Sequence, residues 1–268
     1  MKPFRFGIVG GLGADLKSWT GLARRAEDLG YDTLVSPDPQ TELDPFTTLS
    51  AAAAVTTTLH VGTFVAVERF RDRRLLEWQA RSLHTLTGGR FELGLGTGRP
   101  DAAATLAKLG GEFGTPGERF AHLTETVAYL KEQPRRPPLL LAAGGPRMLE
   151  FAAREADIVT LAAMPRTTED ELRSIVDIFW RAAGDRDVEL AMNLLAVGDQ
   201  RVPWLERFAG VGLPELVAGG AVSVLPGTPE QAADTLRRRR VELGVSYITI
   251  NSAFIEQFAP VVELLRGS

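Results

Sequence analysis

The sequence predicts an α/β fold, a single-domain (β/α)8 TIM barrel spanning residues 1–268. Three observations predict it. Strand-like and helix-like segments alternate almost from end to end. The strand-like segments are continuous apolar runs, as parallel strands buried on both faces require. One stretch, Leu75 to Gly98, shows the step between them directly. There, Leu76, Ala80, Leu83 and Leu86 recur at helical spacing, Gly88-Gly89 stops the helix, and Phe91 to Leu95 runs into Gly96-Thr97-Gly98. A glycine helix stop feeding a parallel strand is the αβ step of a repeated βα architecture. Glycines at a strand's C-terminal end let a ligand approach the backbone, and that end of a βα barrel carries its active site.

Strands are expected at 4–10, 33–37, 60–67, 90–95, 138–142, 157–162, 188–197 and 246–251. Helices are expected at 16–29, 45–56, 73–87, 117–132, 146–155, 168–183, 203–218, 229–243 and 254–266. Apolar spacing supports them: Trp19, Leu22, Ala23 and Ala26 share one helix face, as do Phe120, Leu123, Val127 and Leu130. Thr115 with Glu118, Thr168 with Glu171, and Thr228 with Gln231 read as capping boxes, and Pro116 and Pro229 stand at first helical positions. The Arg237–Arg240 run circles a whole helical turn and reads as a solvated outer helix. An open doubly wound sheet is the structural alternative.

Composition narrows the function. The length suits one α/β barrel, and 44% apolar residues suffice for a large core. A net charge of −4 argues against a nucleic-acid partner. The absence of cysteine excludes disulfides, thiolate nucleophiles and iron–sulfur clusters. The start, MKPFRFGIVGG, enters a strand without a signal-peptide pattern, and no apolar run approaches a membrane span, so a cytoplasmic protein is expected. The three histidines, His60, His84 and His122, fall at a strand start or on outer helices, which leaves a histidine-rich metal centre without ligands. None of Lys2, Lys17, Lys108 and Lys131 falls at a strand end, which disfavours Schiff-base chemistry. Glycines, small polar residues, arginines and a few acids remain, a set suited to an anionic cofactor that brings its own reactivity.

Two segments suit such a cofactor. Ala142-Ala143-Gly144-Gly145-Pro146-Arg147 joins the fifth strand to a helix, whose first amides and positive end attract phosphate. Leu95-Gly96-Thr97-Gly98-Arg99 closes the fourth strand and lacks the spacing of a dinucleotide fingerprint. An ordinary helix start is the commoner explanation of the first segment, and tight turns are the alternative for the second.

Together, LARRAEDLGYDTLVSPD at 22–38, LSAAAAVTTTLHVGTFV at 49–65, LTGGRFELGLGTG at 86–98 and GTPEQAADTLRRRRVELGV at 227–245 resemble the bacterial luciferase-like monooxygenase superfamily. LAAGGP at 141–146 and GLGTG at 94–98 are most similar to its coenzyme F420-dependent oxidoreductase branch, including actinobacterial members. The resemblance implies a TIM-barrel oxidoreductase that moves a hydride between F420 and a small organic substrate. It implies that Ala142, Ala143, Gly144, Gly145, Pro146 and Arg147 hold the coenzyme phosphate, that Thr97 and Gly98 line the ring site, and that Phe64-Val65 forms a cis peptide behind the ring. Asp38, Glu68 and Asp101 are the candidates for proton handling, with solvated loop or cap acids as the alternative. Arg69, Arg99, Asn193 and Asn251 are the candidates for substrate or coenzyme-tail binding, Arg71 and Arg73 lying on the same rim. A homodimer is expected from the resemblance.

The chain departs from the family at several points. Asp38-Pro39 stands where relatives carry Asp-His, Arg71-Asp72-Arg73 where many carry Arg-His-Pro, and no aromatic follows Gly98. The insertion between the fourth and fifth strands is shortened to Glu132–Arg136. Two further functions therefore stay open: an FMN-dependent monooxygenase fed by a flavin reductase, and a divergent non-redox barrel without cofactor, acting as an isomerase, a cyclase or a binding protein.

Overall fold

The structure is a computed structural model and describes residues 1–10, 15–39, 43–199, 205–206 and 210–268. Its strands are β1 (Arg5–Val9), β2 (Thr33–Ser36), β3 (His60–Thr63), β4 (Ala66–Val67), β5 (Phe91–Gly96), β6 (Leu139–Ala143), β7 (Ile158–Leu161), β8 (Glu189–Leu194), β9 (Ala196–Val197), β10 (Val224–Leu225) and β11 (Val245–Asn251). Its helices are α1 (Leu16–Asp28), α2 (Pro45–Ala54), α3 (Arg73–Leu86), α4 (Ala102–Lys108), α5 (Pro116–Lys131), α6 (Pro146–Glu155), α7 (Glu169–Ala183), α8 (Leu213–Ala218), α9 (Pro229–Leu243) and α10 (Ile255–Leu265). Short 3-10 turns cover Glu68–Phe70 and Ser252–Phe254.

Eight parallel strands close into a ring in the order β1, β2, β3, β5, β6, β7, β8, β11 and back to β1. Closure rules out the open sheet. Side chains alternate between the two faces of each strand. Outward residues such as Ile8, Leu34, Leu93, Leu141, Val159, Leu190 and Ile250 are fully buried against the helical shell. The three expected capping boxes, at Thr115, Thr168 and Thr228, are all formed.

The seam between β3 and β5 is the irregular part of the ring. Val61 and Gly62 pair with Phe91 and Glu92, and the backbone ladder then stops. Above it, the Thr63 hydroxyl donates to the Gly94 carbonyl at 2.7 Å and accepts from the Gly94 N–H at 2.9 Å, replacing two ladder bonds with one side chain. The Phe64–Val65 peptide is cis, as expected. The chain then pairs with β5 again as β4, with Ala66 opposite Leu95 and Val67 opposite Gly96. The run expected as one strand over 60–67 is thus two. A Cβ on Gly94 would stand 2.0 Å from the Thr63 carbonyl oxygen, and one on Gly96 would stand 2.8 Å from Val65 Cγ2. Those two glycines admit the neighbouring strand.

The barrel floor is charged. Arg5 reaches Glu189 at 2.5 Å and also pairs with Glu92, and its guanidinium lies 4.6 Å from the centre of the Tyr247 ring. These residues come from non-adjacent strands, so they meet inside the ring. The Tyr247 hydroxyl bonds Thr33 Oγ1 at 2.6 Å. Burial alone would lower the Arg5 pKa, but the charges of Glu92, Tyr247 and Glu189 outweigh it and raise it. Burial raises Glu189, whereas His60 and Arg5 overcome burial and lower Glu92. His60, expected on the stability face, stands there with Nδ1 3.5 Å from Glu92. Leu140, Ile158 and Ala191 pack with Tyr247 as an interior apolar layer.

Other expectations are corrected. The run over 188–197 divides into β8 and β9, and β9 pairs with the unexpected β10 outside the ring. Helix α4 was not expected; Pro100 and the Gly110-Gly111 pair bracket an Ala-rich stretch that signals it. The helix expected over 203–218 lies partly outside the described residues (203–204 and 207–209), and its described part is helical at 205–206 and at α8 and breaks between them at 210–212. Leu86, placed on the buried face of α3, is exposed. Arg239 is buried, unlike a solvated arginine, and donates to the Val222 carbonyl at 3.0 Å, tying α9 to the segment before β10.

Two stability measurements follow from these contacts. Thr63→Val strands the buried Gly94 N–H and C=O and is expected to cost about 3 kcal/mol in urea unfolding, with Thr63→Ser recovering most of it. Glu27 accepts the backbone N–H groups of Thr57, Thr58 and Leu59 at 2.8, 2.6 and 2.9 Å. Burial pushes its pKa up, but these bonds prevail and bring it down to about 2. A depressed folded-state pKa means stability that is present above the ordinary carboxylate value near 4.5 and lost as pH falls toward 2. The advantage of the native chain over Glu27→Gln, about 1 kcal/mol at pH 6 after solvent screening, should therefore shrink steadily between pH 5 and pH 2.

Candidate active site

The C-terminal ends of the strands form the mouth, and both candidate cofactor segments stand there. At the end of β6, Ala142 and Ala143 lead into Gly144 and Gly145, which are exposed. Gly145 is the N-cap of α6, has no capping side chain, and is followed by Pro146 at the first helical position. A Cβ on Gly145 would meet nothing within 4 Å. The first-turn amides of α6 therefore open onto free space, a fit for an anionic group. A Cβ on Gly144 would stand 3.1 Å from the Ala162 carbonyl oxygen, so that glycine also serves the β6–β7 contact. Arg147 lies 4.0 Å over the Phe120 ring, held beside the turn.

Across the mouth, Phe64 and Val65 pack partly buried against the interior apolar layer. Gly98 adopts φ +79°, a conformation that a side chain disfavours, and a Cβ there would press on Val67 and Phe113. Thr97 is half-buried beside it. A flat ring would rest on Val65 near these residues, and the uncharged surface suits one.

The three acids expected to handle protons are placed differently from one another. Asp38, at the end of β2, is buried, and both its oxygens bond Arg71, at 2.6 and 3.1 Å, while Oδ2 also accepts the Val67 N–H at 3.1 Å. Arg71 also bonds Asp44 at 2.9 Å and lies 5.4 Å from the Phe46 ring centre. Burial lowers the Arg71 pKa, but Asp38 and Asp44 outweigh it and raise it. The Asp38 carboxylate thus straps the β2 loop to β4. Glu68 turns toward α5, where Oε1 accepts the Thr126 hydroxyl at 2.6 Å and Oε2 is buried without a hydrogen-bond partner among the described residues. Asp101 is exposed in front of α4, 3.6 Å from the exposed Arg99. The structure does not bring the three together.

Of the expected substrate residues, Asn193 on β8 faces the upper barrel and accepts the Thr249 hydroxyl at 3.0 Å. Asn251 is spent as a cap, its side-chain oxygen taking the Ala253 N–H at 2.9 Å. Arg69 donates to the Glu112 carbonyl at 2.6 Å, and Arg73 stands 3.5 Å from Glu125. Sequence reasoning missed the Asp38–Arg71 strap and the Thr249–Asn193 pair. The alternation of Asn193 and Thr249 with apolar neighbours was the available signal for the second.

A closed parallel barrel with an open glycine turn after β6 is consistent with the resemblance read from the sequence. Known proteins are similar to the chain both in sequence and in fold. Residues 2–132 match the family described as luciferase-like monooxygenase. The chain is 25% identical over 225 residues to 5,10-methylenetetrahydromethanopterin reductase of Methanolobus tindarius, covering 76% of this chain and 68% of that protein. It is 29% identical over 188 residues to an F420-dependent glucose-6-phosphate dehydrogenase of Intrasporangium calvum, covering 57% and 56%. In fold it is similar to an F420-dependent secondary alcohol dehydrogenase, with TM-score 0.79, 16% identity, and coverage of 99% of this chain and 100% of that one. The resemblance read from the sequence is thereby borne out: residues 2–132 carry the luciferase-like match, and the relatives named here are a reductase and a dehydrogenase. No described helix is long and apolar enough to cross a membrane.

The strap has a measurable weight. Asp38→Ala leaves Arg71 buried beside Asp44 alone and should cost about 3 kcal/mol. Asp38→Ala with Arg71→Met should be the more stable of the two variants in urea unfolding, since no buried charge is then left short of its partner.

Proposed function

We propose that the chain is an F420-dependent oxidoreductase whose mouth holds the coenzyme across β3 to β6. The observation that carries this reading is the open turn at Gly144-Gly145. Exposed glycines, uncapped first-turn amides of α6 and a neighbouring arginine together make a receptor for an anionic coenzyme tail. The choice of F420 is supported by the relatives named as F420-dependent glucose-6-phosphate dehydrogenases.

In this reading Ala142, Ala143, Gly144, Gly145, Pro146 and Arg147 hold the tail. Phe64 and Val65 back the ring, and Thr97 and Gly98 bound its edge. The bound coenzyme supplies the hydride. The chain's own part is placement: a ring confined between Val65 and the substrate loses the freedom that makes the bimolecular encounter slow. Asp38 takes a positioning role, since its carboxylate is committed to Arg71 and the Val67 N–H. The Asn193 amide is the polar group that meets a substrate oxygen.

Titration of F420 fluorescence with the protein tests the reading. Quenching at micromolar protein is expected, and Gly145→Glu should abolish it while leaving thermal stability within about 0.5 kcal/mol of the native chain, because that position is exposed and open. Binding of FMN in place of F420 would change the coenzyme assigned. Binding of neither, or full F420 affinity in Gly145→Glu, would overturn the site.

A further inference from the structure

The upper barrel differs in chemistry from the floor. Gly7 faces inward, because a Cβ there would meet Thr33, Thr249 and Tyr247 side chains. Two residues further along the same face is Val9, paired with Val35 and Asn251, while Thr249, which pairs with Gly7, and Asn193, Thr160 and Ala142 are inward-facing positions of the other strands. This layer is apolar or polar without charge. Thr249 Oγ1 fills the carbonyl side of the Asn193 amide, so Nδ2 is left as a donor with no hydrogen bond among the described residues.

The rim continues this character. Leu16 at the start of α1, Leu43 before α2 and Met164 before α7 are 68%, 53% and 72% exposed, three large apolar side chains supplied by three different βα connections. Isolated exposed apolar residues are ordinary, but their recurrence around one opening is a feature of small-molecule sites. The arginines on the same rim are already engaged. Arg71 is held by Asp38 and Asp44, Arg69 by the Glu112 carbonyl and Arg166 by Glu215 at 2.7 Å, Arg99 stands 3.6 Å from Asp101, and Arg147 is assigned to the coenzyme tail.

We infer that the substrate taken at this mouth is an uncharged, mainly apolar small molecule with one acceptor oxygen, received by the Asn193 amide above the Val65 side of the barrel. The inference rests on reading the mouth as the working site. A phosphate or carboxylate carried into this layer would shed its water without gaining a cation in return, a cost that selects against charged substrates. A carbonyl or hydroxyl oxygen gains the Asn193 amide as a donor.

Ligand-observed NMR with cyclohexanone, glucose 6-phosphate and hexanoate tests this, on the protein with F420 bound and, without F420, on Gly145→Glu, in which the anion-receiving turn is closed. Saturation transfer to cyclohexanone and to neither anion is expected. Asn193→Leu should weaken cyclohexanone about fivefold and leave F420 affinity unchanged, and Asn193→Ser reads the same loss should the leucine variant not fold. Preferential transfer to either anion, or undiminished cyclohexanone affinity in both variants, would overturn the inference. Failure of F420 to bind is scored separately by fluorescence and removes the coenzyme reading, because the substrate class is judged on the coenzyme-free protein as well.

Discussion

One side chain closes the barrel. Where β3 and β5 come too close for a regular ladder, the Thr63 hydroxyl serves both backbone groups of Gly94, and the buried seam is left with no unpaired amide at that point. Glycine at 94 and 96 follows from the same approach, since side chains there would strike Thr63 and Val65. So does the displacement that makes β4 a separate strand, set above β3 and bonded to the upper end of β5. The Val67 N–H of that strand meets Asp38, and Asp38 in turn anchors Arg71. A local packing conflict at the seam thus shapes one whole side of the mouth.

Charge is distributed so that floor and mouth have different work. Arg5, Glu92 and Glu189 meet inside the ring beneath Tyr247, where one cation answers two carboxylates and His60 adds to Glu92. A buried cluster of this kind gains little net stability over an apolar plug of equal volume, but removing Arg5 would leave two buried carboxylates without compensation. Through Arg5 it ties β1 to β5 and β8 across the ring. Toward the mouth the same strands present valine, alanine, threonine and asparagine, and the arginines stay on the rim with partners of their own. The result is a cup with an ionic base and an uncharged upper wall, suited to a flat ring and a neutral reactant.

Much of this was legible from residue order. Capping boxes at Thr115, Thr168 and Thr228 are local devices whose partners lie three residues apart, and all three are formed. Apolar runs marked the parallel strands for the same reason, because burial on both faces removes alternation. The glycine turn at 144–145 was visible as a helix start, and its openness was not: nothing in the neighbouring residues says that a side chain there would meet empty space. Gly96 was read as room for a ligand and instead admits Val65, as Gly94 admits Thr63, each partner more than thirty residues away in sequence and in close contact across the seam. Asp38, Glu68 and Asp101 were grouped because each follows a strand or opens a helix, yet the first is tied to Arg71, the second turns to α5 and the third stands in solvent.

Sequence alone determined the alternating architecture, the helix boundaries with local caps, the family resemblance and the end of the barrel where chemistry belongs. Each of these is written in periodicity or in contacts between near neighbours along the chain. Tertiary structure alone decided which glycines yield to protein and which to open space, which carboxylates are already satisfied, and how a polar amide comes to stand in an apolar cup. Those outcomes depend on pairs of residues brought together by ring closure, and the energy of a buried charge or an unpaired amide is set by surroundings that no local pattern records.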